Sequence, residues 1–268
     1  MTLLAAALLG LVQGITEFLP VSSTAHLLLV GDAIGHEDPG GVFTVMIQLG
    51  SIFAVVWLYR QKIVAVVSAL STSAEARHFA LAVIVATIPV LVAGALFADY
   101  IQSVLYKSPS VFAGAFIAGG IVMLLVERLR PVPVVLDAER TPLSRAFGVG
   151  LCQTLALVPG VSRSGATIIG GLAMRLDRAA AAEFSFFVAI PTMFAASAHE
   201  FLEVRSHLTS ARALEIFVGF TMAFLSSLLI IKPFLGFVRR SGFAPFAWYR
   251  IALGLALGAG IWAGWVRG

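Results

Sequence analysis

The sequence predicts an all-α integral membrane protein, with six transmembrane helices and two re-entrant helical hairpins in an inverted-topology repeat. Three observations carry that expectation. Composition comes first: 59% of the 268 residues are hydrophobic, 12% are charged, and mean hydropathy is +0.98. A soluble domain is about 25% charged. The second observation is the spacing of uninterrupted apolar runs, and the third is the sidedness of the basic residues between them.

Residues 1–35 form the first element. MTLLAAALLGLVQGIT lacks the basic start of a signal peptide, and Gln13 interrupts it, so it reads as retained structure. EFLPVSSTAH, residues 17–26, then sets a carboxylate, a proline, three hydroxyls and an imidazole inside the apolar region. Neither half is long enough to cross roughly 30 Å of hydrocarbon. Broken backbone at membrane depth is tolerated only where protein or a wet cavity covers it, so the region is expected to return to the face it entered. Spans are expected at 42–59, 79–98 and 110–127, followed by a linker at 129–142. Residues 143–175 repeat the interrupted design around PGVSRSGAT at 159–167, and spans follow at 184–201, 213–232 and 248–266.

Loop charge agrees with this layout. Arg60, Lys62, Arg77, Arg128, Arg130, Arg140, Arg145, Arg175, Arg178, Lys232, Arg239, Arg240 and Arg250 share one face if both hairpins return. Only Lys107, Arg205, Arg212 and Arg267 fall on the other, and Arg163 lies inside the second hairpin. The rich face is therefore cytoplasmic and both termini are external. Net charge is +4, but the basic residues are scattered singly, which fits positive loops and not nucleic-acid binding. Cys152, the only cysteine, excludes a disulfide framework and a cysteine zinc site.

The chain also repeats itself. Gly10-Leu11-Val12-Gln13 is echoed by Gly150-Leu151-Cys152-Gln153, and Pro20-Val21-Ser22-Ser23 by Pro159-Gly160-Val161-Ser162. Each half, 1–128 and 143–268, reads as a hairpin plus three spans of one membrane domain. Three is odd, so the halves lie upside down relative to each other, an arrangement that places a site where broken helices meet.

At the tips, Pro20 ends a helix on which Gln13 and Glu17 share a face at i,i+4. Ser22, Ser23 or Thr24 caps the next helix, where Ser23 and His26 are spaced to meet; Ser162 or Ser164 caps its counterpart beside Arg163. Two helix N-termini converging on one point favour an anion. Single membrane serines are often structural, and a purely structural Glu17–Arg163 ion pair is the serious competitor. An arginine at membrane depth costs about 3 kcal/mol or more and needs a partner. The remaining polar residues read as ordinary. His36, Glu37, Asp38, His78 and His207 belong to loops and His199 and Glu200 to a span end, while Gln48 and Glu183 read as packing or boundary residues, with cavity lining as the alternative. APFAWYR at 244–250 reads as an aromatic interface anchor with a snorkelling Arg250.

QGITEFLPVSSTAH and PGVSRSGAT resemble the two signature motifs of the undecaprenyl-pyrophosphate phosphatases of the bacitracin-resistance type. SFFVAIPT at 185–192 and residues 244–250 are similar to later segments of that family, so the resemblance covers about residues 4 to 260. It implies a bacterial plasma-membrane enzyme that hydrolyses undecaprenyl diphosphate to the monophosphate carrier used in cell-wall synthesis, with a divalent cation, Mg²⁺ or Ca²⁺. The family's glutamine-or-acid and glutamate positions match Gln13 and Glu17, which leaves one carboxylate here. Its serine, histidine and arginine positions match Ser23, His26 and Arg163, with Ser162 and Thr167 alongside.

On this reading Ser23 is the nucleophile, His26 carries its proton, and Glu17 acts in catalysis and holds the metal. Arg163 forks onto the phosphate, while Gln13, Ser22, Ser162, Ser164 and Thr167 donate to it. A diphosphate monoester carries about −2 to −3 near neutral pH, more than Arg163, His26 and two helix ends balance once Glu17 is subtracted, which also favours a cation. Direct attack by water and a phosphohistidine at His26 stay open. So do a polyprenyl-phosphate flippase, the leading alternative from another class, and a more distant intramembrane serine protease. The partners expected are the lipid substrate and the bilayer; a homodimer is compatible with both. The site is expected to open to the external face.

Overall fold

The computed structural model describes residues 2–36, 38, 41–106, 108–204 and 212–264. Among them lie eleven α-helices: α1 Leu3–Thr16, α2 Ser23–Ala33, α3 Val42–Leu58, α4 Arg60–Ser68, α5 Ala74–Tyr100, α6 Pro109–Leu129, α7 Leu143–Thr154, α8 Arg163–Ala173, α9 Arg178–Val204, α10 Ala213–Ser241 and α11 Ala244–Trp262. The only β-pairing among the described residues is an isolated bridge between Val135 and Leu176. An apolar chain in lipid must satisfy its backbone within each segment, and helices do so.

Five helices, α5, α6, α9, α10 and α11, are long and apolar enough to span a membrane. The sixth expected span is the 17-residue α3, which reaches the required length only together with α4, bent from it by 68°. Residues 60–68, read from sequence as part of a charged loop, are therefore helical. Helix α10 also runs nine residues past its expected end at 232, through Pro233. A proline removes one hydrogen bond from a helix, and burial of Phe234 and Val238 holds the continuation in place. Lys232, Arg239 and Arg240 thus sit on α10 and not in a loop, and the connection to α11 is only Gly242-Phe243. Gly242 has φ +67°, a left-handed geometry that suits glycine.

Helix α9 is the central element: 67% of its spanning window is buried, against 28–33% for the other four. Its Phe184, Phe186, Phe187 and Val188 pack with Phe18, Phe79 and Phe234 in the main apolar cluster. The bilayer-facing sides of the outer helices expose Leu81, Ile84, Ile88 and Leu229. Helices α1 and α7 are too short to span, and each lies against a long helix, α10 and α5 respectively. The two echoed glycines explain how. A Cβ at Gly10 would overlap the carbonyl oxygen of Gly219, and one at Gly150 would overlap that of Ala86. Overpacking of this kind costs about 1–3 kcal/mol, so Gly10→Ala is expected to lower the melting temperature in detergent. An unchanged melting temperature would refute this account of the contact.

Several loop assignments change. His78 is on α5 and bonds the Thr141 carbonyl oxygen at 3.0 Å. Asp38 is not simply solvated: it accepts from the Phe43 and Thr44 amides at the start of α3 and pairs with Arg212 at 3.1 Å. Glu183 pairs with Lys62 at 3.1 Å, a boundary contact as expected. Glu37, Lys107, Arg205, His207 and Arg267 lie outside the described residues.

Candidate active site

The two proline breaks meet inside the protein. Helix α1 stops at Thr16, one turn before Pro20, and Glu17 keeps helical dihedrals as its C-cap. The Gln13–Glu17 spacing therefore survives: Gln13 Nε2 donates to Glu17 Oε2 at 3.0 Å. Ser23 Oγ donates to the same oxygen at 2.6 Å. Arg163, first residue of α8, donates from Nη2 to Glu17 Oε1 at 3.1 Å, linking residues 146 positions apart. Glu17 is 7% exposed and Ser23 8%, so the carboxylate is a buried hub joining both breaks.

The breaks are built alike. Ser22 precedes α2 with φ +70° and Ser162 precedes α8 with φ +73°, an unusual region for a residue with a side chain. Such strain costs on the order of 1–3 kcal/mol and persists only where surroundings enforce it. Ser162 Oγ accepts from the Gly165 amide at 3.1 Å and caps α8, whereas no side chain caps α2.

A cavity of about 570 Å³ opens on this hub. Glu17, Ser22, Ser23, Ser162 and Arg163 line it, with apolar walls from α5 and α9 that include Val90, Leu91 and Met193. Arg163 Nη1 donates to the Ser185 carbonyl at 3.3 Å, and its Nε has no partner. Gln13 Oε1 is likewise buried without a donor. A second hollow of about 870 Å³ shares Thr24, Gln48, Tyr106 and Glu200 with the first. It continues past Asp32, His36 and Asp38, toward the ends of α2 and α5 and the start of α3.

Three of the expected phosphate donors are turned away from the cavity. Gln13 is fully buried behind Glu17. Ser164 Oγ donates to the Leu19 carbonyl at 2.8 Å, tying the second break to the first. Thr167 Oγ1 bonds back to the Arg163 carbonyl at 2.9 Å and meets Ser185 Oγ at 2.5 Å. Nor does His26 meet Ser23. Its Nδ1 donates to the Ser22 carbonyl at 2.7 Å, which makes Nε2 the acceptor for Tyr249 OH at 2.6 Å in a neutral ring. The imidazole also stacks on Tyr249, 5.7 Å between centroids and 12° between planes. The i,i+3 spacing allowed a Ser23–His26 contact, but Ser23 turns toward the carboxylate.

The model of the family described as bacitracin resistance protein BacA matches residues 6–256. This chain belongs to the BacA family. It is 48% identical over 257 residues to undecaprenyl-diphosphatase 1 of Agrobacterium fabrum, covering 96% of each chain. It is 50% identical over 255 residues to undecaprenyl-diphosphatase 2 of Paramagnetospirillum magneticum, covering 94% of this chain and 96% of that one. The undecaprenyl-diphosphatase of Cereibacter sphaeroides is 46% identical over 264 residues, 98% of each chain.

In this BacA-family chain, sequence reasoning missed part of the site. Thr192 lines the cavity, and so do His199 and Glu200, which the sequence places at a span end; Gln48 takes the cavity-lining alternative. Thr192 sits in the SFFVAIPT segment, where a hydroxyl one residue after a helix-interior proline was the available signal. The larger correction is Arg250. It does not snorkel: it is 1% exposed and its guanidinium lies among backbone carbonyls between the two breaks. Without Arg250 the expected basic-rich face keeps twelve residues against four.

Proposed function

We infer that this chain is an undecaprenyl-diphosphatase, hydrolysing undecaprenyl diphosphate to undecaprenyl phosphate and inorganic phosphate. One observation carries the reading: a serine hydroxyl, a carboxylate and a guanidinium converge at two helix starts, each preceded by a serine, beside a cavity with apolar walls. A diphosphate on a lipid tail needs that pairing of an anion seat with apolar walls. The test is phosphate release by purified protein in detergent, where no membrane sides exist and transport gives no signal. Hydrolysis by wild type is expected; bound lipid without phosphate release would favour the flippase.

In the reaction, Ser23 Oγ attacks the terminal phosphorus and the bond to the bridging oxygen breaks. Undecaprenyl phosphate leaves, and water then frees the phosphoserine. The serine proton passes to Glu17, to which Ser23 already donates. The leaving phosphate is a weak base, with a second ionisation near 6, so it departs without a strong acid. Arg163 lines the cavity and offers its guanidinium to the phosphoryl oxygens while Nη2 holds Glu17. Ser22 and Ser162 bring the two helix starts to the same anion. His26 and Tyr249 keep the Ser22 turn in place, and a proton-carrying His26 would first have to release both partners. Gln13, Ser164 and Thr167 act behind the cavity, holding Glu17 and the second break.

The donor set also suits a hard cation. Among the described residues no three carboxylates, histidines or cysteines cluster, yet the orphaned Gln13 Oε1 beside Glu17 is an oxygen that a cation would satisfy. Glu17 would hold Mg²⁺ or Ca²⁺ at the cavity, with substrate and water supplying most of the other ligands. Bound there, the ion would neutralise charge on the diphosphate. A chelator is expected to abolish turnover, with recovery on adding Mg²⁺ or Ca²⁺; full activity in chelator would refute a cation requirement.

The same reading makes 1–128 and 143–268 inverted halves joined by 129–142, with α1–α2 and α7–α8 as re-entrant hairpins. Three features support it. Ser22 and Ser162 share a backbone geometry, α2 and α8 are each 11 residues long, and α1 pairs with α10 as α7 pairs with α5. Loop charge supports both termini outside, and the hollow running past Asp32 and His36 supports an opening to that same face. In a Cys152→Ala background, Gly35→Cys is expected to react with a membrane-impermeant maleimide in intact cells. Labelling only after permeabilisation would reverse the orientation.

A further inference from the structure

Among the described residues Arg250 has no carboxylate partner, although a charged group inside a membrane protein is costly unless paired. Its acceptors are four main-chain carbonyls. Nη1 donates to Pro20 at 3.2 Å and to Val161 at 2.8 Å; Nη2 donates to Gly160 at 3.0 Å and to Ala115 of α6 at 2.9 Å. Pro20, Gly160 and Val161 all lie in the two breaks. Among the described residues no main-chain N–H reaches their oxygens. Buried carbonyls need partners, and one planar fork supplies three of them at once. The Phe116 ring covers the guanidinium at 5.4 Å.

We propose that Arg250 is a positioning residue that clasps the Pro20 turn and the Gly160–Val161 turn to each other and to α6, and so sets the geometry of Ser23, Glu17 and Arg163. Pro20 is three residues from both Glu17 and Ser23, and Val161 is two from Arg163. A shift at either carbonyl therefore moves one side of the hub against the other. Lysine cannot replace the fork, since its ammonium is a single point with no planar spread of donors. Gly119 is part of the device: a Cβ there would collide with the Arg250 Nη2 atom.

The kinetic part of this inference rests on the phosphatase reading, while its structural part does not. Three proteins in detergent are compared: wild type, Arg250→Lys, which keeps the charge, and Gly119→Ala, which keeps the arginine but pushes its guanidinium aside. Hydrogen exchange is expected to quicken in both breaks together, at residues 17–23 and 157–163, by about tenfold or more, with α4 unchanged. On undecaprenyl diphosphate, kcat is expected to fall roughly 100-fold in Arg250→Lys, the scale of a 1 Å misplacement, with KM little changed. Gly119→Ala should move both readouts in the same direction.

Faster exchange in one break alone, or in neither, would overturn the clasp. So would wild-type kcat in either folded variant, or a raised KM at constant kcat, which would make Arg250 a substrate-binding group. If neither variant folds, Arg250 is a folding residue only and the proposal ends. A wild type that releases no phosphate removes the phosphatase reading, and the exchange data still decide the clasp.

Discussion

Ser23→Ala is expected to lower phosphate release by at least about 1000-fold, the scale seen when a nucleophile is removed from a cooperating set. Ser23 is 8% exposed and lines the cavity, and its hydroxyl donates to Glu17 at 2.6 Å, so nucleophile and proton acceptor are already in contact. Losing one hydroxyl leaves Glu17 with Gln13 and Arg163 as donors, and the fold should persist. The check is single-turnover hydrolysis with purified protein, together with a search for phosphoserine in acid-quenched wild type. Near-wild-type turnover from Ser23→Ala would mean that water attacks directly and that Ser23 only binds phosphate.

Arg163→Ala is expected to cost about 1000-fold or more, as when a transition-state arginine is withdrawn in phosphoryl transfer. Arg163→Lys should recover little, because the ammonium's three donors sit on one nitrogen and lack the planar spread that lets a guanidinium reach the phosphoryl group while holding Glu17. The structure contains the Glu17–Arg163 ion pair that a purely structural account demands. A double variant separates the two accounts. Breaking a buried pair on one side costs about 3–5 kcal/mol because the remaining charge is stranded, whereas neutral replacement of both is often tolerated. Glu17→Gln with Arg163→Met should thus regain thermal stability relative to Arg163→Met alone, yet stay inactive. Recovery of activity along with stability would assign the pair to structure alone.

Much of this site was legible in the chain because its signals are local. Gln13 and Glu17 share a face by helical spacing, and the contact is there at 3.0 Å. Pro20 and Pro159 interrupt runs that would otherwise continue, and the breaks came where expected, with Ser162 as the cap of α8. What misled was orientation. Ser23 and His26 are one turn apart, yet rotamers and distant partners decided that Ser23 faces Glu17 and His26 faces Tyr249, 223 residues away. Ser164 and Thr167 carry the same hydroxyls as the cavity-lining serines but point into protein.

The chain by itself determined a membrane-embedded helical protein with two interrupted segments, because hydrophobic length, proline stereochemistry and charge between spans act over short stretches of sequence. Only the folded arrangement decided that Arg250, in an aromatic segment near the end of the chain, is buried between both breaks. It also decided that the walls of the cavity come from α5 and α9. The physical reason is that an arginine at a helix start reads the same whether its carbonyl acceptors come from water or from turns about 90 and 230 residues away. Those acceptors exist only once the helices have packed.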